Sequence, residues 1–200
     1  MVRAAQAVFA ERGYHAASMD EIAERAGITK PMLYSYFGSK EGLFVRCQRG
    51  TREELRAILA DAGSDPGLPP AERLWRALLG VFDFIERHRD GWTVYHASPP
   101  GTGGPIEASA EGAKQEFGEF VAGLLTANAA EQGVAPELRE HLDALAHALT
   151  GALMSLSVWW LQHPDQPKEL QAIRLMNFAW MGFGDLLEGR TFVPAEWRGE

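Results

Sequence analysis

Apolar residues in this 200-residue chain recur every three or four positions along almost its whole length, and almost nowhere do they alternate as along a strand. Such a chain is confined to helices packed on helices, and its length suits one or two domains. Val2, Ala5, Val8 and Phe9 predict a first helix that stops at Gly13. Ser18 and Glu21 have the spacing of a capping box, and Met19, Ile22, Ala23 and Ala26 give the second helix its apolar face. Gly27 is placed to end that helix. Thr29 is placed to cap a third, with Pro31 in its first turn and Leu33 and Phe37 facing inward. Gly38 stops it, and Ser39 caps a fourth helix reaching about Ala62.

The break GSDPGLPP at 63–70 is the best linker candidate. Beyond it the pattern predicts helices over 71–89, 91–97 and 106–131, with a loop at 98–105. Two long helices follow, joined by HPDQP at 163–167. Leu138, Leu142, Leu145, Leu149, Ala152 and Leu156 mark one, and Leu170, Ile173, Asn177, Trp180, Gly184 and Leu187 the other. The expected fold is all-α with about nine helices: an N-terminal three-helix unit over 1–45 and a larger helical domain over 46–200.

Only Ala26, Gly27, Ile28 and Thr29 separate the second helix from the third. That spacing predicts a helix-turn-helix, whose second helix presents its front to a major groove. The third helix carries hydrogen-bonding groups at Thr29, Lys30, Tyr34, Ser35 and Tyr36, and Ser18 and Lys40 stand at neighbouring helix starts. Phosphate oxygens need such donors, and a helix N-terminus adds free N–H groups. The alternative for the tyrosines is core packing, and for Lys40 a solvated cap. The net charge of −8 opposes nucleic-acid binding, but residues 1–56 hold nine Lys/Arg against seven Asp/Glu, so the acidic excess lies elsewhere.

The stretch RAAQAVFAERGYHAASMDEIAERAGITKPMLYSYFGSKEGLF resembles the DNA-binding domain of the TetR family of bacterial regulators. Phe9, Gly13, Tyr14, Ser18, Ile22, Ala23, Gly27, Leu33, Phe37 and Leu43 carry the likeness, with the run from Thr29 to Lys40. The likeness implies DNA contacts at Thr29, Lys30, Tyr34, Ser35, Tyr36 and Lys40, mostly to backbone, and the Ser18 hydroxyl is a further phosphate candidate. It places Pro31 and Met32 at base-reading positions, where apolar side chains suit a thymine methyl and cannot grip guanine in a bidentate way. The first helix begins near residue 2, so an arm ahead of it is either absent or trimmed from this sequence.

A single helix-turn-helix grips one half-site weakly, whereas a dimer spans two. The spacing of the last two helices suits a four-helix bundle made by two subunits, and the family dimerises there. The expected dimer residues are Leu149, Ala152, Leu156, Trp160, Ile173, Asn177, Trp180 and Gly184. The middle of the chain is aromatic, which suits either a filled core or an apolar cavity. Trp75, Phe82, Trp92, Tyr95, Phe117, Phe120, Trp159 and Phe178 are the candidate lining, with His96, Asn128, His147 and Asn177 as polar members.

No enzyme constellation appears, and His141 and His147 have the wrong spacing to share a metal. No cofactor is expected. Cys47, the single cysteine, excludes an intrachain disulfide and fits a reducing cytoplasm. No membrane association is expected, since no apolar run reaches the roughly 18 residues of a span. The resemblance implies a cytoplasmic homodimer that binds operator DNA and represses transcription until a small hydrophobic effector releases it. An activator or a ligand-requiring co-repressor on the same fold is the alternative, and a helical binding module or enzyme without DNA binding is a third.

Overall fold

The computed structural model describes residues 1–65, 67–97, 99, 104–131 and 136–187. Among them it contains no strand and the helices α1 (Val2–Ala16), α2 (Met19–Ala26), α3 (Lys30–Phe37), α4 (Lys40–Gly63), α5 (Pro70–Arg87), α6 (Arg89–His96), α7 (Gly104–Glu131), α8 (Pro136–Leu161) and α9 (Lys168–Leu187). The backbone of α1 leaves helical geometry at Gly13, and one further turn leads into α2.

The caps explain where the first helices start and stop. Ser18 Oγ accepts from the Glu21 amide at 3.1 Å. Glu21 was expected to reach back and close the capping box, but its carboxylate accepts from Arg12 Nε at 3.3 Å. Gly27 takes φ 66° and ends α2, a conformation that costs a side-chain-bearing residue energy. Thr29 stands at the N-cap position of α3 with no side-chain capping bond, against expectation. Ser39 caps α4 through the Gly42 amide at 2.9 Å. A Cβ on Gly42 would collide with the Phe37 carbonyl oxygen, so only glycine lets α3 end this close to α4.

Two apolar clusters form. The first gathers Ala5, Val8 and Phe9 of α1, Met19 and Ile22 of α2, Leu33 of α3 and Leu43, Phe44 and Cys47 of α4. Phe9 meets Phe44 edge to face at 5.0 Å. The second begins at Leu55 of α4 and includes Phe82, Ile85, Trp92, Tyr95, Leu149, Leu153, Trp160 and Leu175. Lys168 at the start of α9 ties to α5 through Asp83 at 2.7 Å and Glu86 at 2.9 Å. Its ammonium, with the Arg87 guanidinium, holds the Asp83 carboxyl below its ordinary value.

Between the clusters α4 carries two buried polar residues. Gln48 is 1% exposed, and its Nε2 donates to the carbonyls of Val94 at 3.3 Å and Ala97 at 3.2 Å, at the end of α6. Its Oε1 is buried without a partner among the described residues. Thr51 Oγ1 lies 3.3 Å from the carbonyls of Cys47 and Gly91 and accepts from Gln6 Nε2 of α1 at 3.3 Å. A Cβ on Gly91 would stand 3.0 Å from Gln6 Nε2, so α6 approaches α1 closely here. Side chains of α1 and α4 thus meet backbone carbonyls of α6 in one polar layer.

The His141–Leu161 part of α8 is long and apolar enough to cross a membrane, with mean hydropathy 1.4, although no run of that length was expected. It is a bundle helix, packed on α7 and α9, and its Ser157 is buried against Trp92.

Trp160 is 1% exposed and packs edge to face on Phe82 at 5.6 Å. Trp160→Ala is expected to lower stability by about 3–5 kcal/mol in urea unfolding. Burial pushes the Cys47 thiol up to about 12. In native protein at pH 7.5 (about) a thiol-reactive dye is expected to leave Cys47 unlabelled, while unfolded protein labels readily.

Candidate functional site

Leu33 is the one residue of α3 that is fully buried, and this decides what the rest of the helix can do. An eight-residue helix is marginal alone. Leu33 anchors it in the first cluster, Phe37 is half-buried beside it, and the rest of its surface faces outward. Thr29, Lys30, Pro31, Met32, Tyr34, Ser35 and Tyr36 are all exposed, Tyr36 by 65%. The core-packing alternative for the two tyrosines is therefore excluded. Because the Thr29 hydroxyl does not cap, α3 presents both that hydroxyl and its first backbone N–H groups.

The basic groups are held by specific partners. Lys30 Nζ lies 2.8 Å from Asp20 Oδ2 of α2, a bond that holds the ammonium above the ordinary lysine value. Arg25 forms a two-bond pair with Glu11 of α1 at 2.6 and 2.9 Å, which raises the arginine and lowers the glutamate. Lys40 Nζ donates to the carbonyls of His15 at 3.2 Å and Ala17 at 3.1 Å, and sits 4.7 Å from the centre of the Tyr14 ring. Lys40 thus staples the link between α1 and α2, and an ammonium with three donors keeps one for a phosphate. Ser18 is exposed, but its oxygen already serves the α2 cap.

The expected effector residues divide. Phe82, Trp92 and Tyr95 are fully buried, and Trp92 Nε1 donates to Ser157 Oγ at 2.9 Å. Trp75 is half-buried against the same cluster, and His96 Nδ1 lies 2.6 Å from the Trp92 carbonyl. These residues come together. His147 does not join them: it is exposed, with Nδ1 2.9 Å from the Asp143 carbonyl. Trp159 also lies outside, stacked on His163 at 4.1 Å, and Phe178 is 63% exposed. The side chains of Phe117, Phe120, Asn128 and Trp180, and the surroundings of Gly184, lie outside what the structure describes. An open cleft of about 560 Å³ lies between α1 and the α5–α6 turn, lined by Arg3, Gln6 and the Glu86–Gly91 stretch, and it contains none of the expected effector residues.

The expected dimer residues also divide. Trp160 and Leu149 are core residues of a single chain, which leaves them no surface for a second copy. Ala152 and Leu156 are half-buried against that core. Ile173 and Asn177 are exposed on α9. Trp159, Ile173 and Phe178 are the large apolar side chains that α8 and α9 leave exposed among the described residues. Sequence reasoning passed over Gln48, Thr51 and Asp20. A readable sign existed for the first two: they interrupt the apolar stripe Phe44, Gln48, Thr51, Leu55 on α4.

An outward-facing, donor-rich α3 held against α2 by the three-residue turn Gly27, Ile28 and Thr29 makes this a helix-turn-helix DNA-binding protein. Residues 2–47 match the bacterial regulatory proteins of the tetR family, and residues 70–182 match the Tetracyclin repressor-like, C-terminal domain. The transcriptional activator FasR of Mycolicibacterium smegmatis is 32% identical over 193 residues, covering 90% of this chain and 79% of FasR. The repressor KstR2 of Mycobacterium tuberculosis is 36% identical over 95 residues, 48% of this chain and 47% of KstR2. The crystal structure of a TetR-like regulator from Rhodococcus sp. RHA1 superposes with a TM-score of 0.74 at 33% identity, covering 92% of this chain and 93% of that one. The chain belongs to the TetR family, whose members are transcription regulators and not enzymes.

Lys40→Met is expected to cost about 1–2 kcal/mol by removing the donor to two carbonyls. Urea unfolding reads the loss, and amide exchange in the α1–α2 link should rise with it.

Proposed function

We propose that the chain is a homodimeric operator-binding regulator that a small hydrophobic effector releases from DNA. The observation that carries this is the exposure of every expected contact of α3 around a single buried anchor, Leu33. Tyr34, Ser35, Tyr36 and Thr29 donate to phosphates, Lys40 adds its third N–H, and Met32 and Pro31 meet thymine methyls. Trp159, Ile173 and Phe178 supply the apolar face on which two copies join, in place of Trp160 and Leu149. The setting is the cytoplasm, where operator DNA is reached directly.

The effector's region is the aromatic cluster of Phe82, Trp92 and Tyr95, with Trp75 and His96 beside it. An apolar molecule entering there parts Trp92 from Ser157 and shifts α6. The end of α6 is clasped by Gln48, so α4 and the reading head follow. A coupling of about 1–3 kcal/mol weakens DNA binding roughly 5- to 150-fold. A second reading, activation in place of repression, is favoured by the likeness to FasR over most of both chains. Deleting the gene and following a reporter separates the two by sign.

The test is fluorescence anisotropy with DNA flanking the protein's own gene, an unrelated duplex as competitor, and a panel of fatty acids and acyl-CoA thioesters. Binding should survive the competitor and fall steeply with salt, and Tyr36→Ala should weaken it at least roughly tenfold without changing the fold. No preference over competitor for any flanking fragment would contradict the DNA-binding reading. Gln48→Met should keep DNA affinity and lose most of the effector response. Phe178→Asp with Ile173→Asp should yield monomers in sedimentation.

A further inference from the structure

We infer that Asp20 and Lys30 act as one unit that reads a G·C base pair in each half-site. The inference rests on α3 entering the major groove, as proposed above. Lys30 is the first residue of α3, and Asp20 stands in the first turn of α2, its side chain 71% exposed. Their charged atoms lie 2.8 Å apart. Their pair joins α2 to α3 at the front of the reading helix, whereas Arg25 and Glu21 are tied back to Glu11 and Arg12 of α1. A carboxylate here makes no phosphate contact, because like charges repel. It faces the bases or water.

The major-groove edge of a G·C pair shows two acceptors, guanine N7 and O6, followed by a donor, the cytosine N4 amino group. An ammonium with one N–H held by Asp20 has two left for N7 and O6. The carboxylate keeps lone pairs for the N4 amino group. The ion pair therefore presents donors followed by an acceptor, the complement of that edge. An A·T pair sets a thymine O4 and methyl against the carboxylate and offers it no donor there. Exposed ion pairs contribute little to folding, so this one is not needed to hold the head together and its remaining donors and lone pairs are available to the bases. It supplies the guanine readout that Pro31 and Met32 cannot.

The experiment is selection of binding sites from a random duplex library by wild-type protein, Asp20→Asn and Lys30→Met, with circular dichroism to confirm the fold. The wild type should enrich a two-fold motif holding a G·C pair in each half. Asp20→Asn should enrich the same motif with that one pair relaxed, and Lys30→Met should relax the same pair. On the selected site, changing that pair to A·T should weaken the wild type roughly 5- to 150-fold and Asp20→Asn by much less. If Asp20→Asn tightens all sequences equally, Asp20 only competes with phosphate and the inference fails. It fails as well if the selected motif is unchanged, or if the two variants relax positions that are not the same pair. If the wild type enriches no motif, the DNA-binding proposal itself fails, which is a separate result.

Discussion

Gln48 makes the contact on which the rest of this architecture depends. It sits on α4 between two apolar clusters, one holding the reading head and one holding the bundle. An apolar residue here would merge the clusters by non-directional packing. Gln48 instead makes two directed bonds to the last carbonyls of α6, with Thr51 adding Gly91 of α6 and Gln6 of α1. Directed bonds specify one register between helices.

The reading head solves a different problem. A recognition helix must expose nearly its whole surface to DNA, so little of it can be buried for stability. Here one leucine, one left-handed glycine turn before it and a glycine close approach after it hold α3 in place. Pro31 presets its first turn. Charged partners on α1 and α2 complete the frame at exposed positions. The head thereby fixes α3 through its backbone and leaves Thr29, Met32, Tyr34, Ser35 and Tyr36 exposed.

Much of this was legible in the sequence because it is local. Ser18, Gly27 and Ser39 act where their chemistry places them, and the helix order follows from apolar spacing. What was not legible depends on which of two apolar faces turns inward. Trp159 and Trp160 are neighbours on α8, about 100° apart around the helix, and either could face the core. Trp160 does so because its indole N–H reaches the Gln166 carbonyl at 2.7 Å while its ring meets Phe82, contacts made across the fold. Leu149 follows it inward, which leaves Trp159 with Ile173 and Phe178 outside. Thr29 stands at the N-cap as its position required, but whether its hydroxyl turns to the helix is a rotamer choice no sequence spacing records. Asp20 was hidden for the same reason: its partner lies ten residues away on another helix.

α4 runs unbroken from the first cluster to the second, and the proposed effector response requires bundle and head to move through it as one lever. Native-state hydrogen exchange along α4 tests it directly. The amides from Cys47 to Leu55 should be protected as strongly as those in the second cluster and should open together with α6, since Gln48 and Thr51 tie the two. If the Gln48–Thr51 amides exchange much faster than those on either side, or independently of α6, α4 is two helices sharing a hinge and the lever account is contradicted.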